Sequence, residues 1–331
     1  MFSVTNDRGF VPQSEQFEGR DMVGEDIKAY KIIHTNDFAY NPARINVGSI
    51  AMYTGEKPCM ISSLYVCFKT TKEVNNEWLM QLLKTPKMNY YYNVNGEGGV
   101  RVYLFYPNFA RIRMSIPIIE EQKKIAKLLN LIDERIATQS KIIDKLQSLI
   151  KGIAQHCIRE LINGWEYVRL GDICKITTGK LDANAQVENG QYPFFTCAER
   201  PFNIDSYAFD TEALLISGNG ANLGYINYYK GKFNAYQRTY ILDHFSVNIQ
   251  YVKWALKVLL PQRIAIEKSS SNTPYIVLST LADLKIPIPN NSKQNHIADL
   301  MMSFERKLST QLVLSDLYNK QKQYLLRQMF I

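Results

Sequence analysis

The chain has 331 residues, of which 46% are hydrophobic and 21% charged, a composition typical of folded globular proteins and not of disordered ones. This length is enough for two domains with separate cores. Its net charge of +8, from 39 Lys and Arg against 31 Asp and Glu, permits a polyanionic partner but does not require one.

The chain begins with MFSVTNDRGF, which lacks the basic and apolar regions of a signal peptide. No apolar stretch approaches the ~20 residues of a membrane span. Five scattered cysteines form no Cys-x-x-Cys pair, a pattern that argues against a disulfide framework and is typical of a reducing compartment. We therefore expect a cytoplasmic protein with no membrane partner.

In the first half, residues 48–53 and 63–68 are rich in β-branched and aromatic side chains and predict strands. A helix is predicted at residues 76–84, ending before Pro86. The second half predicts a helix over residues 249–260, ended by Pro261, and strands at residues 213–217, 224–229, 236–242 and 275–278. Trp78 and Trp254 fall at similar places in the two halves.

An internal repeat organises the chain. When the sequence is shifted by 172 residues, residues 109–144 align with residues 281–316 without a gap, and ten of the 36 positions are identical. The identical pairs include Pro117 with Pro289 and Gln122 with Gln294. Two copies so far apart predict two similar halves, because solenoid repeats have periods of ~20–50 residues.

The repeated segment predicts a long helix in each half. Its apolar positions are spaced alternately four and three residues apart, which is the heptad pattern of a coiled coil. Two helices of ~37 residues in one chain can bury each other's seams as an antiparallel pair; two independent helices, each on its own domain, are the alternative. The predicted seam residues are Ile125, Leu129, Ile132, Ile136, Gln139, Ile143, Leu146 and Ile150, and in the second helix Ile297, Met301, Phe304, Leu308 and Gln311.

These features resemble the DNA-specificity subunits of bacterial type I restriction–modification enzymes. Residues 116–133 (IPIIEEQKKIAKLLNLID) resemble the start of the family's spacer helix, and residues 98–101 (GGVR) with Tyr103 resemble the end of a recognition domain. Residues 164–173 (GWEYVRLGDI) and 269–289 resemble the opening and closing segments of a second such domain. The order and the repetition of these motifs carry the resemblance.

The resemblance implies an α+β protein with two mixed α/β target-recognition domains separated by two long antiparallel coiled-coil helices. The implied boundaries are residues 1–119 and 161–291 for the domains and 120–160 and 292–331 for the helices. The first domain has no counterpart of residues 164–173, so the sequence predicts a clipped N-terminus; a divergent domain with a shorter opening is the alternative. Such subunits read a split double-stranded DNA target and dock two methyltransferase subunits, with restriction subunits joining through the complex.

DNA recognition requires Arg, Asn and Gln side chains at base edges and Lys or Arg at phosphates. The alternative is that most of the candidates are solvated loop residues, with the tyrosines half-buried. The candidates are Tyr40, Asn41, Arg44 and Arg101 in the first domain, and Asn219, Asn222, Lys230, Lys232, Tyr236, Gln237 and Arg238 in the second.

Catalytic motifs fit the sequence poorly. Residues 40–43 (YNPA) lack the Asn/Asp-Pro-Pro-aromatic order of an adenine methyltransferase, and residues 218–224 (GNGANLG) have the wrong spacing for a dinucleotide loop. No phosphate-binding GxxxxGK[ST] motif occurs, and no histidine has metal-ligand spacing. We expect no catalytic residues, metal or cofactor in this chain; by the resemblance, S-adenosylmethionine, ATP and Mg belong to partner subunits. The alternative function is a silent or truncated cassette that acts only as a coiled-coil interaction protein.

Overall fold

The computed structural model describes residues 1–16, 29–98, 102–160, 164–267 and 275–330. The chain divides into unit 1, Met1–Ser140 with Val313–Ile331, and unit 2, Lys141–Leu312. Both units contain sheets and share two long helices, which confirms the predicted mixed α/β fold class. The units are not consecutive segments, because each long helix is divided between them near its middle.

Unit 1 places short strands in two sheets, with the orders β2–β1–β6–β3 and β5–β4–β7. The strands are β1 Phe2–Thr5, β2 Gly9–Pro12, β3 Lys31–Ile33, β4 Phe38–Tyr40, β5 Ile50–Met52, β6 Cys59–Ile61 and β7 Val66–Phe68. The helices are α1 Gln13–Gln16, α2 Asn76–Leu83, α3 Pro86–Asn95, α4 Tyr106–Ala110 and the start of α5 Ile119–Gln155. Pro86 separates α2 from α3, as the first residue of a helix, where its missing N–H costs nothing.

Unit 2 contains a six-stranded sheet, β11–β10–β13–β12–β14–β9, and a two-stranded sheet, β15–β8. The strands are β8 Glu166–Arg169, β9 Lys175–Thr178, β10 Tyr192–Phe195, β11 Phe202–Ile204, β12 Phe209–Ser217, β13 Ile226–Ala235, β14 Thr239–Asp243 and β15 Lys285–Ile288. The helices are α6 Leu170–Ile173, α7 Ile249–Glu267, α8 Leu278–Ala282 and α9 Asn291–Met329.

Two predicted elements of unit 2 are wrong. Helix α7 continues through Pro261 to Glu267, because burial of its apolar face, including Leu256 and Leu260, offsets the hydrogen bond that proline cannot make. Residues 275–278 are not a strand beyond a single bridge at Tyr275. Helix α8 begins at Leu278 instead, where the Thr280 hydroxyl accepts a hydrogen bond from the Val277 N–H, a capping contact at a helix start.

The repeated glutamine links each long helix to the domain helix that precedes it. In unit 1 the fully buried Gln122 Nε2 donates to the Pro117 carbonyl at 2.8 Å, and its Oε1 accepts from the Asn75 N–H at 2.7 Å. In unit 2 Gln294 Nε2 donates to the Pro289 carbonyl at 2.8 Å, and its Oε1 accepts from the Asn248 N–H at 3.0 Å. The two halves therefore contain the same anchor.

Both anchored asparagines also cap a helix. Asn75 Oδ1 accepts a hydrogen bond from the Trp78 N–H at 2.9 Å, and Asn248 Oδ1 accepts one from the Tyr251 N–H at 3.1 Å. Trp78 thus corresponds to Tyr251. The pairing of Trp78 with Trp254 suggested by the sequence is wrong by one helical turn.

A second link also repeats with the 172-residue period. Asp133 Oδ2 accepts a hydrogen bond from Gln81 Nε2 of α2 at 2.9 Å. Its counterpart Glu305 pairs with Lys253 and Lys257 of α7, at N–O distances of 2.7 and 3.0 Å. Burial by itself would raise the pKa of Glu305, but the attraction of Lys257 and hydrogen bonding from Lys253 outweigh it and lower the pKa. Each domain helix is therefore fastened to its long helix at its side as well as at its start.

The two long helices contribute to both hydrophobic cores. In unit 1, Leu129 near the start of α5 shares a core with Leu326 and Phe330 at the end of α9. In unit 2, Ile158 just beyond α5 shares a core with Ile297 near the start of α9. The core of each domain is thus completed by segments from both copies of the repeat.

The predicted seam residues face inward along each helix. All thirteen are buried or half-buried, and Gln139 is buried among them. The alternating spacing continues beyond Gln311 through Ser315, Tyr318 and Lys322, which are half-buried. Within unit 1, Lys322 forms an ion pair with Asp133, and the Arg135 guanidinium lies 5.9 Å from the Tyr318 ring centroid. These contacts run in opposite chain directions, so the two helix segments of unit 1 are antiparallel.

We expect Gln294→Leu to lower the free energy of unfolding by about 2 kcal/mol, because it leaves the Asn248 N–H and the Pro289 carbonyl without a partner in the protein interior. The measurement is thermal unfolding followed by circular dichroism. Gln323→Leu, an exposed position on the same helix, is the matched control and is expected to leave the transition unchanged. Equal stability of the two variants would contradict the anchor.

Glu305→Gln is expected to lower the thermal midpoint at pH 7, because it removes the charge that pairs with two lysines. The pKa of Glu305 is lower in the folded chain than its unfolded value of about 4.3. Its contribution is therefore present above that pH and is lost as pH falls through the folded pKa. The gap between variant and wild type should narrow below about pH 4, whereas the exposed control Glu134→Gln should show no such change. A gap that stays constant with pH would count against the ionic link.

Candidate DNA interface

In unit 2, the turn between β12 and β13 forms hydrogen bonds with several loops. The Gly218 N–H donates to the Arg238 carbonyl at 2.8 Å, and the Ile276 N–H donates to the Gly218 carbonyl at 2.9 Å. Asn222 Nδ2 donates to the Cys197 carbonyl at 3.0 Å, which brings in the loop after β10. We call residues 218–224 the recognition turn of unit 2.

Gly218 lies where a side chain does not fit. A Cβ atom at this position would lie 2.4 Å from the Arg238 carbonyl oxygen, closer than two such atoms can approach. Glycine therefore allows the backbone of the turn to reach the loop that carries Arg238.

Unit 1 contains a turn in the equivalent topological position. Strand β4 pairs with β5 and β7 just as β12 pairs with β13 and β14, so residues 41–49 correspond to the recognition turn of unit 2. The Leu104 N–H donates to the Pro42 carbonyl at 3.0 Å, and Leu104 is 172 residues before Ile276. We call residues 41–49 the recognition turn of unit 1.

Of the first-domain candidates, Arg44 has the position expected of a DNA contact, because it is exposed in the recognition turn. Asn41 is half-buried and its Oδ1 accepts a hydrogen bond from the Ala43 N–H at 3.0 Å, which shapes the turn. Arg101 lies outside the described residues.

Tyr40 is wrong as a candidate for DNA contact. It is fully buried in the core, with its ring centroid 5.0 Å from that of Phe109. All three residues of strand β4 are buried, because Phe38 and Tyr40 pack into one hydrophobic core and Ala39 into another. A tyrosine beside a polar loop is equally compatible with the end of a buried strand, and the sequence does not distinguish the two.

The second-domain candidates fall into two groups. Asn219, Asn222, Tyr236, Gln237 and Arg238 lie in or beside the recognition turn, where the Gln237 amide donates to Asp182 Oδ1 at 2.9 Å. Arg238 is exposed.

Lys230 and Lys232 form the second group, on strand β13, and are exposed. Lys230 Nζ lies 3.4 Å from Glu212 Oε2, and Lys232 Nζ lies 4.6 Å from the ring centroid of Tyr207. Both lysines therefore already have partners within the protein, and DNA would have to compete with these contacts.

Sequence reasoning missed two exposed cations: Arg200, on the loop that is hydrogen-bonded to the recognition turn of unit 2, and Lys180, on the loop that is hydrogen-bonded to Gln237 and Thr239. Contacts between distant loops give no signal in the sequence. It also missed the links at Asp133 and Glu305, although an acidic residue at the same position of both repeats was a detectable signal.

In the described parts of the chain, no group of three or more His, Cys, Asp or Glu side chains is placed to hold a metal ion. The described helices include none with the length and hydropathy needed to traverse a bilayer. The cytoplasmic location stays a prediction.

The fold defines a protein with two homologous α/β units, each of which presents a loop cluster and is anchored to two shared helices. The family model described as the type I restriction modification DNA specificity domain matches residues 25–148 and again residues 162–313. The chain therefore belongs to this family of specificity subunits, which are not enzymes, and the predicted class of protein is confirmed.

Individual relatives agree. The chain is 44% identical over 135 residues to the EcoDI specificity subunit of Escherichia coli, a match that covers 41% of this chain and 30% of that protein. It is 23% identical over 255 residues to the MjaIX specificity subunit of Methanocaldococcus jannaschii, covering 65% and 59%. The matches thus span less than two thirds of either relative. A type I S subunit from M. genitalium has a similar fold, with a TM-score of 0.66 at 16% identity over 90% of this chain and 84% of that one.

Gly218→Ala is expected to destabilise unit 2 by more than about 1 kcal/mol, because the added Cβ forces the turn away from the Arg238 carbonyl. The matched control is Gly152→Ala, on the exposed side of α5, where nothing lies within 4 Å of the added atom. That change should stabilise the chain by about 0.5–1 kcal/mol, because alanine favours a helix interior. Denaturant unfolding measures both, and shifts of the same sign would contradict this account.

Proposed function

We propose that this chain reads a split, asymmetric double-stranded DNA target as the specificity subunit of a type I restriction–modification complex. Unit 1 recognises one half-site and unit 2 the other. The observation that carries the proposal is the pair of topologically equivalent recognition turns, each with an exposed arginine, Arg44 or Arg238, on or against it. Arginine is the side chain that most often makes specific contacts to guanine and also binds phosphate.

The difference between the two turns supports an asymmetric target. Residues 41–49 read NPARINVGS and residues 218–224 read GNGANLG, so the turns share position but not sequence. Two identical readers related by a twofold axis would select a palindrome. Two recognition domains whose turns occupy equivalent positions but differ in sequence select two different half-sites.

The long helices support the docking of methyltransferase subunits. A helix pair buries its seams and leaves the remaining surface to solvent, yet α5 and α9 also carry exposed aliphatic side chains outside the seams. Such side chains are expected where another protein packs. They are Leu128, Leu131, Val313 and Leu317 in unit 1, and Ile142, Leu149 and Leu312 in unit 2.

By this proposal the chemistry belongs to the partners. Two methyltransferase subunits bind S-adenosylmethionine, and restriction subunits with ATP and Mg join through them. This chain contributes the sequence specificity and the spacing of the half-sites.

The test is a methylation map. The chain is co-expressed with the methyltransferase encoded beside it, and N6-methyladenine is located by long-read sequencing. We expect a split, asymmetric motif, and a tagged chain should co-purify with the methyltransferase. A palindromic motif would contradict two-domain reading. Co-purification without any methylation would favour the alternative, an interaction protein whose domains do not read DNA.

The arginine variants assign each half-site to a unit. Arg44→Ala is expected to relax the motif in one half only, and Arg238→Ala in the other, because each removes a base contact from a single recognition domain. Arg306→Ala, an exposed arginine on α9, is the matched control and should leave the motif unchanged. Relaxation of the same half by both variants would contradict the assignment.

A further inference from the structure

An exposed apolar segment follows the same pattern beside each recognition turn. Residues 103–106 (YLFY) and 275–278 (YIVL) are 172 residues apart, outside the region that the sequence alignment covered. In both, the second residue is buried, and the other three are exposed: Tyr103 by 38% and Tyr275 by 56%. Because the two domains differ in sequence but share this exposure pattern, we expect the exposed side chains to serve the same purpose in both.

Backbone hydrogen bonds hold both segments in place. The Leu104 N–H donates to the Pro42 carbonyl, and the Ile276 N–H donates to the Gly218 carbonyl. The side chains of Leu104 and Ile276 are buried in the cores of their units, which fixes the backbone of each segment. Each tyrosine is therefore presented next to a recognition turn by a rigid support.

The hydroxyl groups of the two tyrosines differ from that of a nearby tyrosine in their hydrogen bonding. Among the described residues, neither the Tyr103 nor the Tyr275 hydroxyl has a hydrogen-bond partner, whereas the nearby Tyr240 hydroxyl donates to the Ile276 carbonyl at 2.9 Å. The Tyr103 ring stacks on Phe105, with centroids 6.1 Å apart and an interplanar angle of 15°, and both rings remain exposed. Exposed aromatic rings with free polar ends are suited to an amphipathic partner surface.

The surroundings favour DNA over a protein partner. Each segment is hydrogen-bonded to a turn that has an exposed arginine on or against it, Arg44 in unit 1 and Arg238 in unit 2. A cation and an exposed aromatic ring in the same loop cluster match the alternation of phosphates and bases or sugars on a nucleic acid. The larger set of exposed aliphatic side chains, which we assign to methyltransferase docking, lies on the long helices, whereas the segment in unit 2 adds Val277 and Leu278 beside its tyrosine.

We infer that Tyr103 and Tyr275 are equivalent DNA-contacting residues, one for each half-site. Their rings pack against base edges or sugars, and the neighbouring arginine binds phosphate or guanine. The inference rests on the proposed function and adds to it a specific pair of residues that the two domains share, beside turns that differ.

The test measures target binding by the complex of this chain with its methyltransferase. Fluorescence anisotropy compares a duplex carrying the mapped target with one whose second half-site is scrambled. Tyr275→Ala is expected to weaken binding to the target about tenfold, the size of a lost aromatic–base contact. Its salt dependence should stay that of the wild type, because tyrosine carries no charge. Tyr103→Ala should behave in the same way.

Tyr167→Ala is the matched control, because Tyr167 is 55% exposed in the same unit but lies on strand β8. It should bind the target as the wild type does, and all three variants should keep the wild-type thermal midpoint. If the wild-type complex does not distinguish the two duplexes, the proposed function fails. If it does and Tyr275→Ala binds equally well, or Tyr275→Ala instead loses the methyltransferase, only this inference is overturned.

Discussion

The rest of the structure depends on one buried amide in each half of the chain. Gln122 and Gln294 are inaccessible to solvent, so each must satisfy its donor and acceptor within the protein. It can do so only where the start of a long helix, the proline carbonyl before it and the capping asparagine of the domain helix meet in one geometry. A shift of the domain helix along the long helix would break the bond from the Asn75 or Asn248 N–H and leave the buried amide oxygen without that partner. The domain is thereby held in a fixed register, while loops away from the anchor are free to differ in sequence.

Completion of each core by both copies of the repeat explains features that look irregular in the sequence. Beyond Gln311 the apolar seam is interrupted, because the half-buried seam positions 315 and 322 hold Ser and Lys, and Lys322 forms an ion pair with Asp133 of the other helix. Asp133 is also the residue that fastens α2 to α5 in unit 1. The polar seam residue Lys322 thus pairs with the same residue, Asp133, that attaches α2 to α5. Such an arrangement sacrifices some apolar burial and specifies which helix segments pair.

The sequence predicted the parts of the fold that depend on local pattern. Heptad spacing located both long helices. β-branched runs located β12, β13 and β14 in the middle of the larger sheet of unit 2, but in unit 1 they located only the edge strands β5 and β7. It failed where tertiary packing outweighs a local signal: Pro261 does not end α7, and residues 275–278 form a bridge and a helix start. Among the site candidates, Arg44 and Arg238 have the expected exposure, but Tyr40 is buried because both faces of strand β4 pack into hydrophobic cores. Loop clustering arises from contacts between distant segments, so local periodicity carries no information about it.

In both halves, the residues that position a domain on the helices are distinct from the residues that we propose to contact DNA. Positions that anchor a domain carry the same or similar residues in both repeats, as with the glutamines, the capping asparagines and the acidic pair Asp133 and Glu305. The recognition turns occupy equivalent places and share almost no sequence. If one constraint acted on the whole chain, the anchoring positions and the recognition turns would have diverged to the same extent. The anchoring residues are retained while the turns have diverged. This pattern is expected of two recognition domains that must keep a fixed register on the helices but contact different bases. The exposed tyrosines fall between these sets, because their position repeats in both halves although their side chains are exposed, as the DNA contact that we infer for them requires.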